Sequence, residues 1–362
     1  MRIFASTPLY VQGPGAIAEL GGIVARIGGV PLVVIDEQVQ VLLGEAVIRS
    51  FAVRPGVAPF SGEVTDAAVA LLVGSGRDCD VVVAVGGGKA LDAGKAAALR
   101  LRVPVVTVPT IASTDGPASR GIAMYDDAHK LVRVDQLPQN PAAVVVDSQI
   151  IANAPARYLR AGIGDAIAKT FEAEACWAGT GLTKHGTRPT HSGRALAHAA
   201  YTMLRRSGID GIVAAERHEV TEALEATIEA CVLLSALGFE NGGLSIAHSV
   251  TRGLMTLRGA KDRLHGEHVA YGTLVQLAVE GRDDAEILDL AAFLVKVDLP
   301  CSLSALDVEG PTDPEIGQIA AATMKSPHMK TLSRPLQADD VAAAIRRVEA
   351  LAGAAPDGQT HT

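Results

Sequence analysis

Aromatic side chains are scarce in this sequence: phenylalanine, tryptophan and tyrosine make up 3% of its 362 residues, with a single tryptophan. Apolar residues nevertheless account for 48% of the chain. The core must therefore be built mainly from alanine, valine, leucine and isoleucine. Such residues suit closely packed helices and buried parallel strands.

Other absences exclude whole classes of protein. The four cysteines, Cys79, Cys176, Cys231 and Cys301, have no paired or metal-type spacing and are interpreted as buried thiols. The net charge of −8 gives no electrostatic basis for binding nucleic acid. No apolar run has the length of a membrane-spanning helix, and the first residues lack the apolar core of a signal sequence. We therefore expect a cytoplasmic protein with no nucleic-acid or membrane partner.

The sequence also lacks the common nucleotide-binding fingerprints. It contains instead a buried apolar run at 81–85, followed by Gly86, Gly87, Gly88 and Lys89 and then a helical pattern. The spacing fits neither the G-x-G-x-x-G dinucleotide motif nor the phosphate-binding G-x-x-x-x-G-K-[ST] motif. Bare backbone N–H groups at the start of a helix can still approach a pyrophosphate closely. The pattern indicates a phosphate cradle, with an ordinary tight turn as the alternative.

An acidic residue follows an earlier apolar run. Residues 31–35 are predicted to form a strand that ends at Asp36. In dinucleotide-binding folds, an acid at this place accepts hydrogen bonds from the adenosine ribose and repels a 2′-phosphate. Asp36 therefore favours NAD over NADP, and the alternative is an acid that merely occupies a strand-to-helix turn.

One carboxylate and two imidazoles form a candidate metal site. Asp165 lies in Gly-Ile-Gly-Asp, His248 in Ser-Ile-Ala-His and His265 in Leu-His-Gly-Glu-His. This set suits Zn²⁺ or Fe²⁺ and leaves a coordination position open for a substrate oxygen. Each residue also has a structural alternative, because no short motif joins the three. Asp165 could cap the first turn of a helix, and His248 could be a hydrogen-bonded core residue. His265 and His268 could be an exposed pair, or a ligand pair by themselves.

The pattern of apolar residues predicts two domains. Up to residue 155, short β-branched runs at 31–36, 81–85, 103–108 and 143–146 alternate with helical stretches. This alternation is typical of a doubly wound, mostly parallel α/β domain. From residue 156 to 354 the runs are longer, alanine-rich and helical in period, which predicts an all-α domain. The polar tail at 355–362 is predicted to be disordered.

Several motifs in a fixed order resemble one known family. They are YVQGPGAI at 10–17, GGGKALD at 86–92, PTIASTD at 109–115, LPQNP at 137–141, APARYLRAGIGD at 154–165, GFENGGLSIAH at 238–248 and HGEHVAYGTL at 265–274. The chain resembles the glycerol dehydrogenases of the metal-dependent, so-called iron-containing alcohol dehydrogenase superfamily, which also includes a dehydroquinate synthase branch. The resemblance runs nearly end to end and implies the dehydroquinate synthase-like two-domain architecture.

The resemblance also implies a role for particular residues. Asp165, His248 and His265 match the metal-ligand positions, which selects His265 over His268, and the ion in such glycerol dehydrogenases is usually Zn²⁺. Asp115 matches a substrate-contacting acid and is the candidate catalytic residue. The implied cofactor contacts are Asp36, Gly86, Gly87, Gly88, Lys89, Asp92, Thr110, Ser113, Ser119, Gly121 and Tyr125.

Departures from the family pattern lie beside the expected substrate. The chain has Arg120 where the family has a small residue and Gly121 where it has a bulky apolar one. Arg120 could bind a carboxylate, a phosphate or a larger polyol, or it could be a solvated charge. The run at 180–191 is also atypical, and it is predicted to be a polar loop between helices rather than a second metal site.

These observations lead to one mechanistic hypothesis. A polyol would bind a metal ion that acts as a Lewis acid, and a hydride would pass from the carbinol carbon to C4 of NAD across a cleft between the domains. No residue stands out as a general base. Alternative substrates are a longer polyol, a cyclitol, an amino-polyol or a hydroxy acid, and alternative functions are a sugar-phosphate cyclase of the same superfamily or a non-catalytic NAD-binding protein. The resemblance further implies a homo-oligomer.

Overall fold

The structure is a computed structural model, and it describes residues 1–332 and 334–354. The tail predicted to be disordered, 355–362, lies outside the described residues. The chain divides into two compact units. The first consists of Met1–Phe4, Arg160–Ile209 and Gly238–Thr362, and the second of Ala5–Leu159 and Asp210–Leu237.

The second unit contains a parallel six-stranded sheet with strand order β1-β8-β5-β4-β2-β3. A separate antiparallel pair is formed by β6 and β7. The strands are β1 (Tyr10–Gly13), β2 (Pro31–Asp36), β3 (Gly56–Phe60), β4 (Val81–Gly86), β5 (Val105–Pro109), β6 (Gly121–Tyr125), β7 (Leu131–Gln136) and β8 (Ala143–Asp147). The four runs predicted to be strands correspond to β2, β4, β5 and β8, so the predicted parallel α/β fold is confirmed.

The α-helices are numbered in chain order. The helices of the first half are α1 (Leu20–Val24), α2 (Glu37–Arg49), α3 (Asp66–Ser75), α4 (Gly88–Leu101), α5 (Ser148–Asn153), α6 (Ala156–Ile167) and α7 (Lys169–Ala178). Those of the second half are α8 (His191–Glu216), α9 (Glu222–Glu229), α10 (Ser235–Gly242), α11 (Ile246–Leu254), α12 (His265–Val279), α13 (Asp284–Lys296), α14 (Asp313–Thr323) and α15 (Ala338–Ala354). A π-helical segment, Ala230–Leu234, joins α9 to α10.

Both faces of the sheet are covered by helices, because its central strands β4 and β5 are buried and, apart from Thr107, carry no polar side chain. Val82 and Ala84 of β4 face a layer that contains α3 and α4, and Val83 and Val85 face a layer that contains α1 and α2. Successive side chains of a strand point to opposite faces of the sheet. A continuous apolar run can therefore contribute to the hydrophobic cores on both faces. The sequence-based division at residue 155 assigned 210–237 to the helical part, whereas this segment belongs to the unit that contains the sheet.

Among the described residues, no single helix is long and apolar enough to cross a membrane. A bent pair of helical segments, Glu222–Gly242 with Ile246–Leu254, reaches that length and apolar character only when the two are taken together.

Candidate metal centre and cofactor site

Three helices of the first unit supply the predicted metal ligands. Asp165 lies near the C-terminal end of α6, His248 is in the first turn of α11, and His265 is the first residue of α12. One ligand atom from each lies within 4.8 Å of the other two. The alternative that placed Asp165 in the first turn of a helix is wrong, because α6 already begins at Ala156. The three residues form a site that could hold a metal ion.

The distances between the ligand atoms fit a small divalent ion. His248 Nε2 lies 3.1 Å from Asp165 Oδ1, and His265 Nε2 lies 3.8 Å from the same oxygen. Ligands placed tetrahedrally about Zn²⁺ at normal bond lengths are separated by about 3.4 Å. The Asp165 carboxylate is 1% exposed, whereas the His265 side chain is 46% exposed, so the site is buried on one side and accessible on the other.

Two glycines allow the ligand-bearing helices to approach each other. A Cβ added to Gly164 would lie 2.2 Å from the carbonyl oxygen of Gly266, and a Cβ added to Gly266 would lie 1.7 Å from that of Ala161. Helices α6 and α12 therefore cross at backbone contact. Each glycine immediately precedes or follows a ligand, so the Gly-Asp and His-Gly pairs of the sequence have a direct structural role at this site.

Glu172 orients one of the ligands, and the sequence analysis did not identify it. Its Oε2 lies 2.6 Å from His248 Nδ1, while its Oε1 accepts hydrogen bonds from the backbone N–H groups of Ser245 and His248. The carboxylate thus caps the start of α11 and leaves His248 Nε2 directed at Asp165. A carboxylate behind a histidine ligand is the usual support of a metal site. Glu172 follows Asp165 by seven residues, which is about two helical turns. This spacing is the feature of the sequence that could have indicated a carboxylate on the same side of the chain as the ligand.

Lys169 is a second buried residue that the analysis missed. Its Nζ donates to Asp165 Oδ1 at 2.6 Å and lies 3.0 Å from His248 Nε2. Burial opposes ionisation of Asp165, but the Lys169 ammonium and the two imidazoles hold its pKa well below the usual value. Desolvation lowers the pKa of His265 to about 4 despite the nearby Asp165. Asp165 is therefore ionised and His265 neutral near pH 7, as metal binding requires.

His268 has a different environment from His265. Its side chain is 2% exposed, and its Nε2 lies 2.6 Å from the carbonyl oxygen of Ala260. The ring is held by the backbone, and it is absent from the cluster of potential ligands. Within the part of the chain that the structure describes, the run at 180–191 contributes no ligand cluster. It forms the loop between α7 and α8, as predicted.

The candidate cofactor residues lie in the second unit, at the carboxyl ends of three adjacent strands. Asp36 ends β2, Gly86 ends β4, and Thr110 follows β5 with its N–H bonded to the Gly86 carbonyl at 3.1 Å. The chain passes from β2 to β3 on one side and then to β4 on the other. Such a switch in strand order is where open α/β sheets bind their ligands. Asp36 Oδ1 itself accepts hydrogen bonds from Gln38 and Val39 and caps α2.

The glycine triplet joins β4 to α4 as predicted. Gly86 has φ of +144°, Gly87 is the N-cap, and α4 begins at Gly88. A Cβ on Gly87 would lie 3.0 Å from Ile111, whereas a Cβ on Gly88 would have no atom within 4 Å. The space beside the Cα atom of Gly88, at the start of α4, is therefore open. Lys89 is ion-paired with Glu63.

Asp92 has a structural role in this unit. Its Oδ2 accepts a hydrogen bond from the N–H of Ala123 at 2.9 Å, and its Oδ1 lies 3.4 Å from Lys95 Nζ. The fully buried Lys95, which the sequence analysis left without a role, also donates to the carbonyls of Gly116 and Gly121. The two side chains fix the β6–β7 pair to α4.

The remaining candidates lie along the segment that follows β5. Asp115 is 9% exposed and accepts a hydrogen bond from Ser235 at 3.1 Å. Arg120 is half-buried, and its Nε donates to the Leu137 carbonyl at 2.9 Å, so it is not simply a solvated charge. Ser119 is buried, Ser113 is half-buried, and Tyr125 ends β6. Cofactor or substrate contacts by these residues stay predictions.

Comparisons with known proteins agree with the fold and the metal site. A family model described as iron-containing alcohol dehydrogenase matches residues 11–155. The chain is 42% identical to a glycerol dehydrogenase of Escherichia coli O6:H1 over 85% of each chain, and 37% identical to a glycolaldehyde reductase of Halobacterium salinarum over 88% of this chain and 89% of the relative. The crystal structure of a Schizosaccharomyces pombe glycerol dehydrogenase superimposes with a TM-score of 0.93 at 31% identity, covering 98% of this chain and 91% of that one. The chain therefore belongs to the glycerol dehydrogenase family, within the iron-containing alcohol dehydrogenase superfamily, and is a metal-dependent oxidoreductase of that type.

Proposed function

We propose that this enzyme oxidises a secondary hydroxyl of glycerol or of a related small polyol and transfers the hydride to NAD⁺. The observation that most directly supports this proposal is the ligand set of Asp165, His248 and His265. One of its histidines is accessible, and the other is held by Glu172. Three protein ligands leave a position for substrate oxygen, as catalytic zinc sites do.

Different residues of the chain have different roles in the proposed reaction. Asp165, His248 and His265 hold the ion, for which Zn²⁺ is the proposed identity, and a bound ion would supply Lewis acidity that stabilises negative charge on the substrate oxygen. Glu172 keeps His248 in the ligating tautomer. Asp115 would accept a hydrogen bond from a substrate hydroxyl and so orient the carbinol carbon. The carbinol C–H bond would break as a hydride passes to C4 of NAD⁺, and the hydroxyl proton would leave to water.

The choice of NAD⁺ is supported by the ends of β2 and β4. The Asp36 carboxylate stands beside Gly86, where a 2′-phosphate would meet like charge. The N-terminus of α4, with open space at Gly88, supports binding of the pyrophosphate. We further propose that the enzyme acts as a homo-oligomer in the cytoplasm. Light scattering coupled to size-exclusion chromatography tests the oligomer.

The first experiment is NAD⁺ reduction, followed by NADH absorbance with the Zn²⁺-loaded protein. The substrates are glycerol, propanediols, longer polyols, cyclitols and hydroxy acids. We expect turnover of at least one vicinal diol, its loss on chelation and its return on adding Zn²⁺. The proposal would be contradicted if no alcohol gave NADH formation, or if a sugar phosphate were converted without net NADH formation.

A single methyl group tests the cofactor site. Gly88→Ala places a Cβ where the protein itself has no atom within 4 Å, so folding should be unaffected. The new methyl would occupy the space in which the pyrophosphate approaches α4, and we expect the Kd for NAD⁺ to rise about tenfold or more, equivalent to about 1.4 kcal/mol. Gly74→Ala, at an exposed helical glycine of the same unit with equally open surroundings, is the control. Equal NAD⁺ affinity in both variants would place the cofactor elsewhere.

A further inference from the structure

The first unit contains a cavity of about 360 Å³ beside the metal ligands. Its walls are the loop between α7 and α8, the end of α10 with the segment that follows it, and the turn at Pro327–Thr331. The side chains that define its chemistry are Lys184, Phe239, His328 and Lys330, together with Thr180 and Thr183. The size is near the lower limit of small-molecule sites.

Two sets of interactions connect this cavity with the metal centre. The Phe239 ring lies 5.7 Å from Lys169 Nζ, and this ammonium contacts both Asp165 and His248. On the opposite wall, the charges of Glu172 and His248 both act on His328. The cavity therefore lies near the residues of the candidate metal centre.

The lining of the cavity is cationic. It includes Lys184 and Lys330, and none of its described lining residues is an aspartate or a glutamate. Burial and the neighbouring Lys184 lower the pKa of His328 to about 4, so this ring is neutral near pH 7 and can donate or accept a hydrogen bond. The Lys184 ammonium lies 5.9 Å from the centre of the Phe239 ring.

The loop that carries Lys184 is rigidly built. Thr183 bonds to Thr187 through its backbone N–H at 2.8 Å, and its carbonyl accepts from Gly186, which has φ of +68°. The Arg188 guanidinium donates to the carbonyls of Gly181 and Trp177 at 2.9 and 2.7 Å. Thr180 bonds across the cavity mouth to the Lys330 carbonyl at 3.2 Å. The loop that carries Lys184 and the turn that carries Lys330 are thus joined by a hydrogen bond.

We propose that this cavity binds the carboxylate of a small hydroxycarboxylate substrate, with Lys184 and Lys330 as its specificity-determining residues. The inference rests on the proposed function and narrows it: the oxidised hydroxyl lies on a carbon chain that ends in a carboxylate, as in glycerate. The hydride and proton steps are those given above. A charge-assisted hydrogen bond from a lysine is strong enough to discriminate an anionic chain end from a neutral one.

The test compares glycerate with glycerol, which differ in one chain end. For the Zn²⁺-loaded enzyme, kcat/KM for glycerate should exceed that for glycerol. Lys184→Met keeps the length of the side chain and removes its charge. It should raise the KM for glycerate about tenfold and leave the KM for glycerol within about twofold, and Lys330→Met should act in the same direction. Lys184→Arg should restore part of the affinity. Lys296→Met, at an exposed lysine of α13 in the same unit that does not line the cavity, is the control.

Measuring glycerate binding by calorimetry distinguishes failure of this inference from failure of the proposed function. Glycerate should bind the Zn²⁺-loaded protein without NAD⁺, and Lys184→Met should weaken that binding about tenfold. Turnover of glycerol with no preference for glycerate, or equal losses for both substrates in Lys184→Met, would overturn the cavity assignment and leave the dehydrogenase intact. Absence of NADH formation with lysine-dependent binding of glycerate would reject the proposed reaction and support the cavity.

Discussion

At the scale of single residues, the candidate metal centre depends on groups that do not themselves ligate. Burial alone would lower the pKa of His248, but Asp165 and, above all, the adjacent Glu172 carboxylate together raise it. The same carboxylate fixes the ring through Nδ1 and the helix through two backbone N–H groups. Glu172 therefore controls both the orientation and the basicity of a ligand.

Replacing Glu172 by glutamine tests this control. Glu172→Gln keeps the shape of the side chain and removes the charge behind His248. We expect the Kd for Zn²⁺ to rise about 10- to 100-fold, the usual effect of losing such a partner, as measured by competition with a chromogenic chelator.

Glu174→Gln provides a matched control on the same helix. Glu174 pairs with Arg194, and its side chain is 46% exposed. This variant should bind Zn²⁺ like the wild type. A Zn²⁺ affinity that is equally unchanged in Glu172→Gln would show that the carboxylate has no part in metal binding.

At the scale of helices and strands, glycines decide how closely the functional segments approach. Gly164 and Gly266 bring α6 and α12 to backbone contact beside two ligands, and Gly94 brings α4 within contact of Ala84 on β4. These positions explain why the family-like motifs contain glycine within helices, where it costs about 1 kcal/mol relative to alanine.

Gly266→Ala should separate the ligands. Its Cβ would lie 1.7 Å from the Ala161 carbonyl oxygen, which is fixed backbone. We expect the free energy of unfolding to fall by about 2–3 kcal/mol and Zn²⁺ affinity to fall with it, as followed by urea denaturation and chelator competition.

Gly317→Ala in α14 is the corresponding control, since an added Cβ there meets no atom within 4 Å. It should stabilise the protein by about 0.5–1 kcal/mol. Full stability and full Zn²⁺ affinity in Gly266→Ala would mean that the crossing of α6 and α12 has no influence on the site.

At the scale of the whole molecule, the metal ligands and the candidate cofactor residues belong to different compact units. Asp165, His248 and His265 lie in the first unit, and the glycine loop and Asp36 lie in the second. Each unit has its own set of long-range contacts, so binding of an ion and binding of a dinucleotide should respond separately to mutation.

His265→Ala tests this separation. The side chain is 46% exposed, so its removal should leave the fold intact. In the wild type, Zn²⁺ at 100 times its Kd should stabilise the protein by about 2.7 kcal/mol, and NAD⁺ should do the same at the equivalent concentration. In the variant we expect the Zn²⁺ effect and the activity to disappear while the NAD⁺ effect persists, as measured by scanning calorimetry. A variant as active as the wild type would reject this metal site.

The sequence by itself determined the parallel sheet, the glycine turn after β4 and the identity of the three metal ligands. Strand positions followed from β-branched apolar runs, which have few alternatives to burial in a parallel sheet. The ligands were identified through their order within family-like motifs, since their own spacing carries no local signal.

Only the tertiary structure showed which side chains support those groups. In the sequence, Glu172 and Lys169 look like ordinary helical charges and Lys95 looks like a surface lysine. Folding buries all three. It places Glu172 and Lys169 against the metal-ligand residues and Lys95 against backbone carbonyls. The cavity beside the metal ligands combines chain segments about 140 residues apart. Burial and long-range proximity depend on the packing of the whole chain, whereas propensity and apolar pattern depend on neighbours in sequence, and this is why the fold could be predicted and the supporting contacts could not.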